Sequence, residues 1–63
     1  MSVRKLRVER GWSQEQLALS AEIDVSYLGR VERGDNNVAV LRLERIAKAL
    51  GMTMAELMVE AGL

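Results

Sequence analysis

Sixty-three residues without cysteine or histidine, carrying nine basic and nine acidic side chains, make one small domain with no disulfide framework and none of the usual zinc, haem, thiol or imidazole chemistry. A chain of this length is near the lower limit at which a core folds unaided, so a stability of only ~3–5 kcal/mol is expected and dimerisation would add to it. The net charge of zero argues against nucleic-acid binding driven by charge alone, which leaves the placement of the charges to decide.

No proline, one tryptophan, one tyrosine and many Leu, Ala, Glu, Arg and Val predict an all-α domain in which glycines act as helix stops. The opening run MSVRKLRVER alternates charged and apolar residues, so it is neither a secretory signal nor part of a membrane span. No apolar run of about 18 residues occurs anywhere. A cytoplasmic protein with no membrane partner is expected. Without a repeat, low-complexity tract or linker, residues 1–63 read as a single domain of five helices.

The first helix is predicted over residues 3–10, or from residue 2, with Val3 and Leu6 inward, Val8 as a further candidate, and Gly11 as its stop. Trp12 then covers the junction into the second helix. Ser13 followed three residues later by Gln16 is a capping-box pattern, in which each side chain bonds a backbone donor left unpaired at a helix start, so the second helix begins near Gln14. Leu17, Ala21, Ile23, Leu28 and Val31 fit two helical stripes, because one continuous helix would not place Ile23 with both. Ala18 is small enough for the next helix to cross closely. The break therefore falls between Ala21 and Asp24. Asp24 is a good N-cap for a third helix running to about Arg33, and Gly34 suits the left-handed conformation that ends one. Asp35, Asn36 and Asn37 make a polar loop. Val40, Leu43, Ile46, Ala47 and Leu50 define a fourth helix, stopped by Gly51. Thr53 and Glu56 form a second capping box, opening a fifth helix with Met54, Leu57, Met58 and Ala61 on one face.

Residues 13–34 thus have the outline of a helix-turn-helix. In that arrangement the second helix of the pair enters the DNA major groove with its N-terminal half, while the first points its N-terminus at a phosphate. Position then assigns the candidates: Ser13 and Gln14 toward the backbone, and Val25, Ser26 and Arg30, outward and one turn apart, toward the bases. Arg30 suits guanine bidentately, Ser26 several bases, and Val25 a thymine methyl. Tyr27 lies at the edge of this face, where its hydroxyl meets a phosphate or its ring fills the shoulder of the helix. Arg33, Asn36 and Asn37 sit where a loop meets the DNA backbone, although a turn needs such residues anyway. The charges are mixed: Arg4, Lys5, Arg7 and Arg10 crowd the first helix and Arg30 and Arg33 the third, with Glu22 and Asp24 nearby. A helix pair also occurs in bundles that bind only protein, where exposed arginines are solvated charges.

The blocks LRVERGWSQEQLA (residues 6–18), SYLGRVERG (residues 26–34) and LERIAKALG (residues 43–51) resemble the Xre/Cro/phage-repressor family of helix-turn-helix regulators over nearly the whole chain. The resemblance implies a compact five-helix domain of the phage-repressor DNA-binding type, with the helix-turn-helix at the second and third helices. It implies that Gln14 clamps the DNA backbone, that Val25, Ser26 and Arg30 occupy base-reading positions, and that Arg7 pairs with Glu32 as a structural link. Within the family, IDVSYLGRVERG and the spacing on to Asn37 and Val38 are most similar to controller proteins of restriction-modification systems.

Three departures from the family pattern stand out. Glu22 occupies the turn position usually held by Gly, and a left-handed conformation there costs ~1 kcal/mol. Val38 and Ala39 replace the commoner Pro and Ser or Thr before the fourth helix, leaving Asn37 as the substitute cap. The first helix also lacks the turn that often precedes Val3.

One such module buries only ~600–1,000 Å² on DNA, so a homodimer on a palindromic double-stranded operator is expected. Met54, Met58, Val59 and Leu63 are the candidate dimer interface, with Met54 equally suited to the core. No cofactor, metal or catalytic residue is expected, since the carboxylates are scattered and have no His, Cys or metal cluster beside them. The rival reading is an antitoxin-like protein-interaction module whose partner covers the fifth helix.

Overall fold

The computed structural model describes residues 3–34 and 39–61, which form five α-helices: α1 (Val3–Glu9), α2 (Gln14–Ala21), α3 (Val25–Glu32), α4 (Val40–Ala49) and α5 (Met54–Ala61). No strand occurs among the described residues. The all-α, five-helix expectation holds. Asp35, Asn36, Asn37, Val38 and Leu63 lie outside the described residues, so the loop contacts, the substitute cap and the terminal interface residue predicted there have no structural counterpart.

Two of the helix starts follow directly from local chemistry. The Ser13 hydroxyl accepts from the Gln16 N–H at 3.1 Å while the Gln16 side chain accepts from the Ser13 N–H at 2.7 Å. Thr53 and Glu56 repeat the same exchange at 3.1 and 2.8 Å. Asp24 takes the extended backbone of an N-cap, but its side chain makes no cap bond, so it begins α3 by conformation alone.

Three of the helix ends share one geometry. After α1, α2 and α4 the chain turns through a left-handed residue, at Gly11 (φ 72°), Glu22 (φ 58°) and Gly51 (φ 73°). In each case the next N–H reaches back five residues: Trp12 to the Arg7 carbonyl, Ile23 to Ala18 and Met52 to Ala47. This is the Schellman closure, which satisfies carbonyls that a helix end leaves open. Two of the three use glycine, and Glu22 bears the cost of a side chain in the same conformation.

The core joins one fully buried side chain from each of four helices: Leu17, Leu28, Ile46 and Leu57. α2 packs on α3 and α4, while α5 packs on α4 and α1. Ala18 and Ala21 are buried in this core, as their size predicts. Trp12, Ile23 and Met54 are half-buried against it.

Two apolar residues of the sequence pattern fall outside the core: Val8, a further inward candidate of the first helix, and Val40, which helped define the fourth. Val8 is 56% exposed, because at about 100° per residue the inward arc of α1 is occupied by Val3, Leu6 and Arg7. Val40 shares the angular stripe of Leu43 and Ala47 but stands in the first turn of α4, where it is 68% exposed. Apolar spacing alone misassigns α1, since its third inward residue is a charge.

Candidate nucleic-acid interface

The Arg7 guanidinium grips the Glu32 carboxylate with two donors, Nε to Oε2 at 2.7 Å and Nη2 to Oε1 at 3.1 Å. Gln14 adds a third, its Nε2 donating to Oε1 at 2.9 Å. Arg7 Nη1 donates to the Trp12 carbonyl at 2.7 Å. One carboxylate at the end of α3 therefore ties down α1 and the start of α2. The Glu32 hydrogen bond and charge raise the Arg7 pKa above its ordinary value, against the opposing effect of burial, so Arg7 stays charged. A two-pronged guanidinium–carboxylate pair fixes orientation as well as distance.

With its back held, α3 presents a solvent face. Tyr27, Leu28 and Val31 are buried beneath it, and Val25, Ser26 and Arg30 are exposed, Val25 at 37%. The three candidate base readers are thus brought together on one helix. Arg33 follows as the C-cap, and its guanidinium lies back along α3: a Cβ added at Gly29 would stand 3.2 Å from Arg33 Nη1. Arg33, Gly29, Gln14, Arg4 and the Arg7–Glu32 pair line an open depression of about 340 Å³. Arg4, on the exposed side of α1, is the cation there that the candidate set did not include.

Ser13 is exposed at the mouth of α2 with its hydroxyl committed to the capping box. Gln14 is half-buried, with one amide hydrogen on Glu32 and the second left for another acceptor. Tyr27 takes the second of its two predicted positions. Its ring is in the core at 6% exposure, and its hydroxyl accepts the Ala39 N–H at 2.8 Å, supplying from a distant helix the partner that the start of α4 lacks locally. A tyrosine thirteen positions before the first α4 residue gives no sequence signal for this bond.

Two further arginines clasp the scaffold. Arg10 Nη2 donates to the Leu50 carbonyl at 2.9 Å, closing the end of α4, and Arg45 Nη1 donates to the Glu22 carbonyl at 3.3 Å. Arg7, Arg10 and Arg45 of the nine basic residues are therefore tied into the scaffold.

On α5, Met58 is 45% and Val59 81% exposed, whereas Met54 is half-buried against the core. No group of His, Cys, Asp and Glu suited to a metal occurs among the described residues, and no helix among them is long and apolar enough to cross a membrane.

The helix-turn-helix family HTH_3 matches residues 3–57. The chain belongs to this family. It is a family of DNA-binding transcription regulators of the Xre/Cro type, not of enzymes, as the three sequence blocks implied. Among solved structures, the helix-turn-helix domain is similar to the restriction-modification controller protein C.AhdI from Aeromonas hydrophila, with 44% identity, a TM-score of 0.81, and coverage of 87% of this chain and 83% of that one. Control protein C.MunI from a Mycoplasma species is 39% identical over 56 residues, covering 87% of this chain and 76% of the relative. A hypothetical transcription factor from Neisseria meningitidis is 40% identical over 57 residues, 90% of this chain but 54% of the relative, so the helix-turn-helix chain spans about half that protein's length.

Proposed function

We propose that this helix-turn-helix domain is a sequence-specific regulator that binds double-stranded DNA as a homodimer, with α3 seated in the major groove of each half of a palindromic operator. The observation that carries the reading is the exposure of Val25, Ser26 and Arg30 on a helix whose opposite side is buried and whose end is fixed to α1 and α2. A reading helix must be held rigidly to discriminate bases, because misplaced bonds lose their geometry. Arg30 reads guanine, Ser26 an adjacent base edge and Val25 a thymine methyl. Ser13, Gln14 and Arg33 contact the DNA backbone, with Asn36 and Asn37 from the loop. Tyr27 supports these contacts from beneath, since its side chain is buried in the core.

Met58 and Val59 form the homodimer surface with Leu63, and Met54 belongs to the core side of that helix. The similarity to controller proteins supports a role as the controller of a restriction-modification system.

Selection of bound duplexes from random DNA at near-physiological salt tests binding, half-site spacing and symmetry together. The reading predicts a two-fold symmetric site with half-sites about one helical turn apart and affinity that falls steeply with salt. Affinity indifferent to salt would refute it.

The exposure of Val59 gives a second reading some footing, a protein-interaction module engaged through α5. That reading predicts that Arg30→Ala leaves function intact while Met58→Asp abolishes it.

A further inference from the structure

Two guanidinium groups share the ring of Tyr27. Arg30, one turn along α3, has its guanidinium carbon 5.6 Å from the ring centroid, and Arg42, from the first turn of α4, has its own at 4.7 Å. The ring cannot yield easily, since the core holds it at 6% exposure and the Ala39 N–H holds its hydroxyl. Arg42 is exposed and forms no ion pair among the described residues. On the next turn of α4, by contrast, Arg45 is spent on the Glu22 carbonyl. Arg42 is thus a cation of α4 that stacks on a ring of the reading helix and has no carboxylate partner among the described residues.

We propose that Arg42 is a DNA phosphate-contacting residue, positioned beside Arg30 by the ring of Tyr27; the proposal rests on the reading of α3 as the groove-bound helix. A guanidinium stacked on a fixed ring is partly ordered before it meets an anion and so loses less freedom on binding. Its place decides its target. Arg30 stands on the helix that enters the groove, whereas Arg42 stands on the neighbouring helix, at the groove's flank, where the sugar–phosphate strand runs. The N-terminal end of the ten-residue α4 adds partial positive charge at the same place. Tyr27 is accordingly a positioning residue, linking one arginine that reads sequence to another that supplies affinity.

The test measures binding of two fluorescent probes, a pool of random-sequence duplexes and the tightest duplex recovered from that pool, between about 50 and about 200 mM salt. Arg42→Gln should weaken binding to both probes by a similar factor and make the salt slope of the dimer shallower by about two, one per protomer, so that about a twelve-fold share of the salt effect disappears over that range. The selected sequence should not change. Arg42→Lys should restore the slope, because the charge is kept. Tyr27→Phe should retain the slope, whereas Tyr27→Leu, if its circular dichroism shows it folded, should reproduce the Arg42→Gln loss, with no further loss in the double variant. An Arg42→Gln protein that melts earlier but keeps the wild-type salt slope would show a scaffold cation only and overturn the proposal. So would a changed base preference, which would make Arg42 a reader of bases. If the wild-type protein bound neither probe, the DNA-binding reading itself would fail, a different outcome from either.

Discussion

The eight-residue helices α3 and α5 are anchored in opposite ways. α3 is fastened by polar bonds from three directions, through Arg7 and Gln14 to Glu32 and through the Tyr27 hydroxyl to Ala39, and its outer face carries Ser26 and Arg30. α5 is capped by its own Thr53 and Glu56 and otherwise held by the burial of Leu57 and Ala61. Among the described residues no side-chain hydrogen bond ties α5 to another helix, and its outer side carries Met58 and Val59. A helix fixed by directional bonds presents its polar groups at set positions, as base reading requires. A helix held by packing alone can tolerate the adjustments of an apolar interface, which suits self-association.

The contrast between the two helices is largest at Glu32. Replacing it with Ala leaves the Arg7 guanidinium buried without its carboxylate, and thermal melting should show a loss of about 3 kcal/mol or more, close to the whole stability of a domain this small. Unchanged melting would mean that α3 is held by its apolar side alone, like α5. The raised Arg7 pKa carries a definite sign. Its contribution is fully present below the ordinary arginine range and is lost only as pH rises through the higher folded value, so this guanidinium adds no pH dependence around neutrality.

Arg30→Ala comes next in size. Loss of a bidentate guanine contact should weaken the selected duplex by about 1–3 kcal/mol in a titration while melting is nearly unchanged, since Arg30 is exposed. On α5, Val59→Asp should weaken the dimer by about 1–2 kcal/mol, seen as a monomer in sedimentation at concentrations where the unaltered chain is paired, again without a large change in monomer melting. An effect of Val59→Asp on monomer stability as large as that of Glu32→Ala would erase the contrast between the two helices.

The smallest effect concerns the turn between α2 and α3. Glu22→Gly should add about 1 kcal/mol, raising the melting temperature by about 4–8 °C, because it relieves a left-handed glutamate while the backbone bond from Arg45 survives.

Features built from neighbouring residues were legible in the sequence. Ser13 with Gln16, Thr53 with Glu56, and the stops at Gly11 and Gly51 each depend on groups a few positions apart, whereas the strained turn at Glu22 followed from the resemblance, which puts Gly at that position. What spacing could not reveal depends on chain segments that meet only after folding. Arg7 occupies an inward position that apolar spacing could not assign, because its partner is twenty-five residues away, and only the family resemblance implied the Arg7–Glu32 pair that forms. Tyr27 completes α4 with its hydroxyl, and Arg10 closes the far end of that helix at Leu50. Asp24 illustrates the converse, a residue of the right type in the right place whose side chain makes no cap bond. The candidate readers Val25, Ser26 and Arg30 could be placed early because they need only the phase of one helix. Arg42 could not, since its position depends on a ring from another helix.

The most direct test of the reading helix is to repeat the selection from random duplex DNA with the Arg30→Ala protein. The selected site should keep its spacing and symmetry, while one guanine position of each half-site loses its preference and the others keep theirs. A selected sequence identical to that of the unaltered protein at every position would contradict the assignment of α3 as the element that reads DNA through Arg30.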